Sequence, residues 1–341
     1  MNIGQPEAPE EYATAYWATG PQMGELRSHE EAISEHDEPS ALVRTWYSGL
    51  SRGTERLVHH GLVPPSERER MRAPFQKGDF PFPVKYGYMA VGRVEAGPAP
   101  FLGRDVFCLH PHQDFFHVPV SALTLIPEDV PMRRAVLAAN METAVNVLWD
   151  ANPGIGDRIR VVGAGVVGSL VGYLASRVPG VDAALVDVLP RRETLARRLG
   201  LAYLPGPASD DPFERGANDL VIHTSGAPLG LQDALTLAGP EARVVEASWY
   251  GDQDVSAPLG GAFHSQRLEL RSSQVGRIPA RQAARWTYKR RMELALRLLS
   301  DDALDALISS VDPFESIPDR IHERLSSPET LCAVFAYPPA E

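Results

Sequence analysis

Cysteine is scarce in this chain of 341 residues, which contains only Cys108 and Cys332. Two isolated cysteines form no CxxC pair and cannot build a disulfide framework. Such sparing use of cysteine is typical of proteins in a reducing compartment. The sequence therefore predicts a cytoplasmic protein.

A basic excess and a long apolar run are also missing. Lys and Arg total 33 against 44 Asp and Glu, a formal net charge of −11. This argues against nucleic acid as a partner, because phosphate binding needs a concentrated basic face. The longest uncharged run, 161–176, is shorter than the about 20 apolar residues that span a bilayer. Residues 1–12 hold three acids and no Lys or Arg, unlike a secretory signal, so we expect no membrane partner.

What is present is the composition of a globular protein, with 44% hydrophobic residues and length enough for two domains. The first third is β-rich, and Gly and Pro separate its strands. Strands are predicted at 13–19, 41–48, 88–95 and 104–110, a surface loop at 66–79, and one helix at 133–149. A last strand is predicted at 331–337.

From residue 158 onward, strand and helix patterns alternate. The pattern predicts strands at 158–162, 182–188, 219–223 and 242–246, with helices at 166–177 and 191–199. This alternation predicts an α/β fold, a doubly wound parallel sheet covered on both faces.

A GxGxxG turn joins the first of these strands to its helix. Gly163 permits the tight turn, Gly165 lets a pyrophosphate approach the backbone, and Gly168 lets the helix pack on the strand. The free N–H groups at Val166 and Val167, with the helix dipole, would then hold phosphates. The sequence thus predicts a Rossmann dinucleotide site, whereas the alternative is a glycine-rich turn without a ligand.

Asp187 ends the second strand, where a carboxylate binds the adenosine ribose in Rossmann folds. A carboxylate there repels a 2′-phosphate, so the sequence favours NAD(H) over NADP(H). Arg191 and Arg192 follow closely and keep NADP(H) open, with Arg192 as a further candidate for cofactor binding.

Several motifs extend along nearly the whole chain: SGLSRGTE (48–55), GYMAVGRVEAG (87–97), GRDVFCLHPHQ (103–113), ANMETA (139–144) and TSGAPLGLQDAL (224–235). With the glycine turn, they resemble the medium-chain dehydrogenase/reductase superfamily, the relatives of zinc alcohol dehydrogenase. SGLSRGTE and GYMAVG resemble most the branch that contains bacteriochlorophyllide a dehydrogenase.

The resemblance implies three segments and, by analogy, a homodimer. These are a GroES-like catalytic domain at 1–143, a Rossmann domain at 144–285 and a C-terminal segment at 286–341 that completes the catalytic domain. The active site would lie in the cleft between the domains.

The zinc ligands of the resembling family are replaced here. Ser51, Tyr88 and Ala139 stand where zinc-dependent members place a Cys, a His and a second Cys. A hydroxyl, a phenol and a methyl do not make a tetrahedral zinc site. The lobe with four cysteines is missing as well, so we expect no zinc.

At other positions this chain keeps the residue types that the resembling family uses. Arg52 falls where the family places a pyrophosphate-binding arginine, and Thr143 where a threonine touches the nicotinamide. Gly226 follows the fourth Rossmann strand, near the expected nicotinamide site. His110 falls at a position that lines the substrate pocket.

Without zinc, a hydrogen-bond donor must stabilise the charge that develops on the substrate oxygen. The catalytic candidates are Tyr88, His110 and Ser51, although Tyr88 alternatively packs at the core edge and His110 is alternatively a packed or surface histidine. Glu142 either orients one of them or faces solvent. His110 and His112, with His117 nearby, offer a weaker alternative, a metal site.

Residues 271–291 hold seven basic residues and no acid. Arg277, Arg281 and Arg285 share one face if this segment is helical. The simpler interpretation is a solvated face, and the sharper one is attraction of an anionic substrate or of cofactor phosphates.

The leading hypothesis is a zinc-independent, NAD(H)-dependent oxidoreductase acting on a small molecule, a secondary alcohol or the matching ketone. One alternative is an NADPH-dependent quinone or enoyl reductase of the same superfamily, and another is a non-catalytic dinucleotide-binding protein. Asp187 argues against the NADPH-dependent reductase. The loss of the zinc ligands is compatible with the reductase and with the non-catalytic protein.

Overall fold

The structure is a computed structural model that describes residues 12–31 and 38–338. The acidic residues at the start of the chain, on which the argument against a signal peptide rests, lie outside these ranges. No helix in these ranges is long and apolar enough to cross a lipid bilayer.

The N-terminal part of the chain forms β-sheets. Its strands are β1 (Tyr12–Gly20), β2 (Met23–Glu30), β3 (Ser40–Leu50), β4 (Lys77–Gly78), β5 (Val84–Lys85), β6 (Ala90–Ala96), β7 (Asp105–Cys108), β8 (Phe115–Pro119) and β9 (Thr124–Leu125). A small sheet has the order β2-β1-β5-β4, and a larger sheet contains β3-β6-β7-β9, with β8 paired to β3. The alternating burial along β1 and β3 follows from one face packing on the core.

The strands of the second part are β10 (Arg158–Val162), β11 (Asp182–Asp187), β12 (Ala202–Pro205), β13 (Asn218–His223), β14 (Ala238–Glu246), β15 (Glu269–Ser272), β16 (Ile308–Pro313) and β17 (Cys332–Ala336). β12-β11-β10-β13-β14-β15 form a parallel sheet, in which Val161 faces Leu185 on one side and Ile222 on the other. Near-continuous burial of β10 and β13 is what a parallel sheet covered on both faces requires. The predicted α/β class, a Rossmann sheet beside a β-rich domain, is confirmed.

The helices are α1 (Arg52–His60), α2 (Met132–Ala135), α3 (Ala138–Ala151), α4 (Val166–Ala175), α5 (Arg192–Arg198), α6 (Pro228–Leu237), α7 (Ala280–Ala283), α8 (Tyr288–Arg297) and α9 (Ile317–Ser326). α3 packs against both α4 and α8. β17 pairs antiparallel with β3, so the end of the chain returns to the N-terminal sheet. The predicted domain boundary at residues 143 and 144 falls inside α3, and the three-segment division stays a prediction.

Two local predictions need correction. The helix predicted at 133–149 is two helices, because Val136 and Leu137 interrupt it between α2 and α3. α3 then continues to Ala151, and Asn152 ends it in the left-handed region with φ 50°. The loop predicted at 66–79 contains the short strand β4.

Candidate functional site

The glycine turn lies between β10 and α4, and its three glycines have different neighbours. Gly163 has φ 107°, and a Cβ on it would lie 2.7 Å from the backbone of Ser225. A Cβ on Gly168 would lie 1.9 Å from the carbonyl oxygen of Gly163, so the helix can approach the turn only without a side chain there. Beside Gly165 there is open space, with nothing within 4 Å of a Cβ. This is the arrangement expected of a turn that leaves room for a pyrophosphate.

The first turn of α4 borders this open space. Gly165 is the N-cap residue, and Val166 and Val167 begin the helix. The first N–H groups of a helix lack partners within the helix, and the helix dipole favours an anion beside them. Gly165, Val166 and Val167 are therefore the residues that could hold a diphosphate.

Asp187 ends β11 next to the glycine turn. Its Oδ2 accepts a hydrogen bond from the Ala164 N–H at 2.7 Å, and its Oδ1 accepts one from the Leu189 N–H at 2.9 Å. Two backbone donors fix the carboxylate, while each oxygen keeps a further lone pair. The carboxylate is thus oriented at the edge of the turn and can still accept from ribose hydroxyls.

Arginines surround Asp187. The Arg192 guanidinium donates to the Pro328 carbonyl at 2.8 Å, and its buried Nε has no partner among the described residues. Arg52 donates to the Leu325 carbonyl at 3.1 Å, and Arg191 pairs with Glu329. Burial is the main cause that lowers the pKa of Arg52, and the positive charges of Arg56, Arg192 and Arg191 lower it further. Arg52 and Arg192 thus both lie within electrostatic range of Asp187, and their contact with a cofactor stays a prediction.

Gly226 follows β13 and has φ 66°, a left-handed conformation that glycine adopts without strain. Its N–H donates to the Ser248 hydroxyl at 3.1 Å, which ties the turn after β13 to the segment after β14. Both segments leave the carboxyl edge of the parallel sheet, where ligands bind in such folds.

Ser51 and Tyr88 lie together at the start of α1. The Ser51 N–H donates to Glu55 Oε1 at 2.8 Å, which fixes the first turn of the helix. Burial, followed by the charge of Glu55, raises the pKa of Tyr88, and hydrogen bonding with the hydroxyls of Ser51 and Thr54 opposes that rise. A phenol is protonated at neutral pH even at its ordinary pKa, so Tyr88 can donate a hydrogen bond to an oxygen.

The contacts of Glu55 were not predicted from the sequence. This buried carboxylate lies 3.0 Å from His112 Nε2, and the other ring nitrogen of His112 lies 2.7 Å from the Ser48 hydroxyl. Ser48 in turn contacts the Tyr337 hydroxyl at 2.9 Å. Ser48 and Glu55 are the two ends of SGLSRGTE, whereas His112 and Tyr337 lie far from this motif along the chain, so the contacts could not be predicted from it.

His110 lies in the packed interior of the N-terminal sheet. Its ring stacks on Phe116 at 3.7 Å between centroids and lies 5.5 Å from Phe75, and its Nδ1 faces the Pro111 carbonyl at 3.0 Å. Burial, and next the charge of Lys85, lowers the pKa of His110 well below its usual range. His110 is thus a packed histidine, which was the alternative to a catalytic one. Its catalytic role stays a prediction.

Glu142 does not face solvent, and the hydrogen-bond partner of its carboxylate among the described residues is an arginine rather than a catalytic candidate, which corrects both predictions for it. It is buried on α3 and pairs with Arg291 of α8 at 3.0 Å. Arg291 also donates to Asn146 at 2.5 Å and to the Val275 carbonyl at 2.7 Å. This pair joins two helices.

Thr143 follows Glu142 on α3 and is partly exposed. Its hydroxyl donates to the Ala139 carbonyl at 2.9 Å, the carbonyl one helical turn back. Its oxygen can still accept a hydrogen bond, and its contact with nicotinamide stays a prediction.

The basic residues of 271–291 are exposed or half-buried, except Arg291, which is buried. Arg281 and Arg285 do not form one long helix with Arg277, because α7 spans only Ala280–Ala283.

The residues at the expected zinc position do not fit that metal. Ser51 and Tyr88 offer hydroxyls, and Ala139 offers a buried methyl, whereas zinc prefers thiolate and imidazole ligands. Across 12–31 and 38–338, no group of three or more His, Cys, Asp and Glu side chains is arranged to hold a metal ion. His110 and His112 face different partners, Phe116 and Glu55.

No family model matches the chain. A zinc-type alcohol dehydrogenase-like protein of Haemophilus influenzae is 25% identical over 234 residues, 66% of this chain and 64% of that protein. The match therefore spans just under two thirds of that relative. D-guloside 3-dehydrogenase of Escherichia coli is 25% identical over 332 residues, 89% of this chain and 93% of that protein.

Solved structures share the fold. L-idonate 5-dehydrogenase from Escherichia coli has a TM-score of 0.77 at 14% identity, covering 96% of this chain and 99% of that chain. This chain therefore has the fold of these dehydrogenases and is similar in sequence to the two relatives above. An Escherichia coli alcohol dehydrogenase complexed with NADH has a TM-score of 0.74 at 18% identity, covering 95% and 99%. A zinc-binding dehydrogenase from Sinorhizobium meliloti bound to NADP has a TM-score of 0.75 at 16% identity, covering 96% and 100%.

The relatives confirm the predicted enzyme class, a dehydrogenase. Two of the solved structures hold NADH or NADP, and the cofactor of this chain stays a prediction. The assignment to the branch of bacteriochlorophyllide a dehydrogenase stays a prediction, as do the cytoplasmic location and the homodimer.

Proposed function

We propose that the chain is an NAD(H)-dependent oxidoreductase that interconverts a secondary alcohol and its ketone without a catalytic zinc ion. The observation that carries the proposal is the glycine turn, with open space at Gly165 beside the oriented carboxylate of Asp187. The name of the Escherichia coli relative, a 3-dehydrogenase of a guloside, is compatible with a hydroxyl on a secondary carbon.

The residues of the turn fit a dinucleotide. Gly165, Val166 and Val167 would hold the diphosphate through backbone N–H groups, with Arg52 as a charged neighbour. Asp187 would accept from the adenosine ribose hydroxyls. Thr143 and Gly226 would lie toward the nicotinamide.

NAD(H) is favoured over NADP(H) by the fixed charge of Asp187. A 2′-phosphate would be placed against a carboxylate that two backbone donors hold in position. The neighbouring arginines offset this repulsion only in part, because Arg191 already pairs with Glu329 and Arg192 with the Pro328 carbonyl.

Tyr88 serves as the proton donor in the direction of ketone reduction. A dinucleotide held by the residues of the glycine turn would supply the hydride. The Tyr88 phenol is protonated at neutral pH, as a tyrosine ordinarily is, and it would donate to the substrate oxygen as negative charge develops there. Ser51 and Thr54 orient the phenol through their hydroxyls, and Glu55 fixes Ser51 through its backbone.

The cofactor is tested by titrating the protein with NADH and with NADPH and following tryptophan fluorescence. We expect NADH to bind more tightly by about tenfold or more, a difference of about 1.4 kcal/mol. Asp187→Ser should narrow this preference. Tighter binding of NADPH by the unmodified chain would overturn the assignment of NAD(H).

The absence of a zinc requirement is tested by elemental analysis of untagged protein. We expect well under one zinc ion per chain, and activity that survives dialysis against a chelator. Close to one zinc per chain would contradict the proposal.

A further inference from the structure

A serine, a histidine and a glutamate form a hydrogen-bonded series at the carboxyl edge of the parallel sheet. His223 Nε2 lies 2.6 Å from the Ser225 hydroxyl, and His223 Nδ1 lies 2.7 Å from Glu246 Oε2. The imidazole is fully buried, and Ser225 is exposed. Ser225 lies within the motif at 224–235, but neither the sequence analysis nor the proposed hydride transfer assigns a role to these three residues.

The sheet itself brings the three residues together. His223 is the last residue of β13 and Glu246 the last residue of β14, and the two are partners in the parallel register. Neighbouring residues in register project their side chains to the same face. Ser225 follows two residues later, in the turn between β13 and α6.

Glu246 is held as a carboxylate that can orient the imidazole. Its Oε1 accepts from the Ser248 N–H at 2.7 Å, and its Oε2 accepts from the Tyr250 hydroxyl at 2.9 Å. Burial acts to raise the pKa of Glu246, but hydrogen bonding and charge from His223 prevail and lower it. A carboxylate at Nδ1 places the N–H there and leaves Nε2 free to accept a proton.

The Ser225 hydroxyl is positioned to donate that proton. Its oxygen accepts from the Ala227 N–H at 3.1 Å, so the hydroxyl hydrogen remains available for His223 Nε2. Close packing preserves the contact, since a Cβ on Gly230 would lie 2.5 Å from both His223 Nε2 and the Ser225 oxygen. A nucleophile in a turn between strand and helix, with a base oriented by a carboxylate, is the arrangement used in acyl transfer.

We propose that Ser225 is an activated nucleophile that accepts acyl groups from activated esters when no dinucleotide is bound. The Ser225 oxygen forms a bond to the ester carbonyl carbon while its proton passes to His223 Nε2. The ester C–O bond breaks, and the leaving oxygen takes the proton from His223. Water then cleaves the acyl-serine by the same sequence and restores the hydroxyl. No oxidant or metal takes part in these steps.

The site shares the cleft of the proposed cofactor. Gly163 approaches the backbone of Ser225, because a Cβ on Gly163 would lie 2.7 Å from it. A dinucleotide held at the glycine turn would therefore cover Ser225. Acyl transfer and dinucleotide binding should exclude each other.

The test uses the full chain and a fluorophosphonate probe, with the adduct located by mass spectrometry of peptides. A bond forms between phosphorus and the Ser225 oxygen, the P–F bond breaks, and fluoride leaves with the proton that His223 accepted. We expect a single adduct at Ser225 and slower labelling by a factor of about 100 in Glu246→Gln and in His223→Gln, the scale of general base catalysis. Ser265→Ala is the matched control, because Ser265 is an exposed serine whose hydroxyl donates to the Gly261 carbonyl, and it should label at the normal rate.

Labelling elsewhere, absence of labelling, or an unchanged rate in Glu246→Gln would each overturn the proposal. Glu246→Gln retains an oxygen that can accept from the imidazole, and its thermal denaturation shows whether it has folded. Labelling is repeated with saturating NADH, which should protect Ser225. If the chain binds NADH but Ser225 is not labelled, the proposed nucleophile is wrong and the proposed function stands. If Ser225 is labelled equally with and without NADH, the dinucleotide does not bind over Ser225.

Discussion

Gly165 and Gly168 belong to one motif, yet a side chain at the two positions should have different effects, on cofactor binding at Gly165 and on stability at Gly168. Gly165 borders open space and has φ −76°, which any residue can adopt. Gly168 faces a backbone oxygen that cannot move without disrupting the turn. The same substitution at the two positions therefore separates binding from folding.

Gly165→Ala should retain the stability of the unmodified chain and weaken NADH binding by about tenfold or more, because the methyl group occupies the space left for the pyrophosphate. Fluorescence titration and thermal denaturation measure the two effects. Gly260→Ala is the control, since Gly260 also borders open space but is outside the turn.

Gly168→Ala should instead lower the melting temperature, because overpacking costs about 1–3 kcal/mol. Unchanged stability in Gly168→Ala, or unchanged NADH binding in Gly165→Ala, would contradict the roles assigned to these two glycines.

Tyr88 and Tyr86 provide a second pair at the residue scale. Tyr88→Phe removes the proposed proton donor, so turnover of a responsive ketone should fall by a factor of about 100 or more, with little change in NADH affinity. Tyr86→Phe is the control, because Tyr86 is buried beside Tyr88 at 6.0 Å between ring centroids and is assigned no proton transfer. Equal turnover of the two variants in a panel of ketones would contradict the role of Tyr88.

At the scale of elements, the features that could be predicted from the sequence are those formed by residues close together along the chain. The strand, glycine turn, helix and acid from 158 to 187 lie within about 30 residues and carry their own local pattern. The environment of His110 could not be predicted in this way, because the sequence pattern does not show that the Phe116 ring stacks on the imidazole. The pairs His112–Glu55 and His223–Glu246 were missed because the partners lie 57 and 23 residues apart along the chain. His223 meets Glu246 through the register of β13 and β14, and His112 meets Glu55 where α1 packs beside the segment before β8.

Glu142 and Arg291 hold α3 against α8, and both side chains are buried. Glu142→Ala should destabilise the protein by about 3–5 kcal/mol, because it leaves the Arg291 charge buried without its carboxylate. Urea denaturation followed by tryptophan fluorescence measures this.

Glu193→Ala is the matched control, since Glu193 pairs with Arg197 on the exposed surface of α5 and such pairs contribute about 0.3–0.5 kcal/mol. A loss in Glu142→Ala as small as that of the control would show that the buried pair does not hold the helices together.

At the scale of the whole molecule, several carboxylates depend on a hydrogen-bonded partner in the folded state. Such a bond is the main cause of a lowered pKa in each of four: Asp301 from Tyr173, Asp305 from Arg134, Asp312 from Arg324 and Glu269 from Arg243. A carboxyl whose pKa is lower in the folded state binds fewer protons there than in the unfolded chain. Its stabilisation is present above the ordinary pKa and is lost as the pH falls through the folded value.

The free energy of unfolding should therefore decrease as the pH falls below the ordinary Asp and Glu values of 3.8 and 4.5. Urea denaturation at a series of pH values between about 7 and about 3 measures this dependence. Arg324→Gln should be less stable at neutral pH and lose less on acidification, because Asp312 no longer has its charged partner. Stability that rises on acidification would contradict these assignments.

Calorimetric titration of the chelator-dialysed chain with NADH tests the central claim most directly, because it needs neither a known substrate nor a bound metal. The account predicts heat of binding with one NADH per chain and weaker binding of NADPH. No heat with either the reduced or the oxidised nicotinamide nucleotides would contradict it.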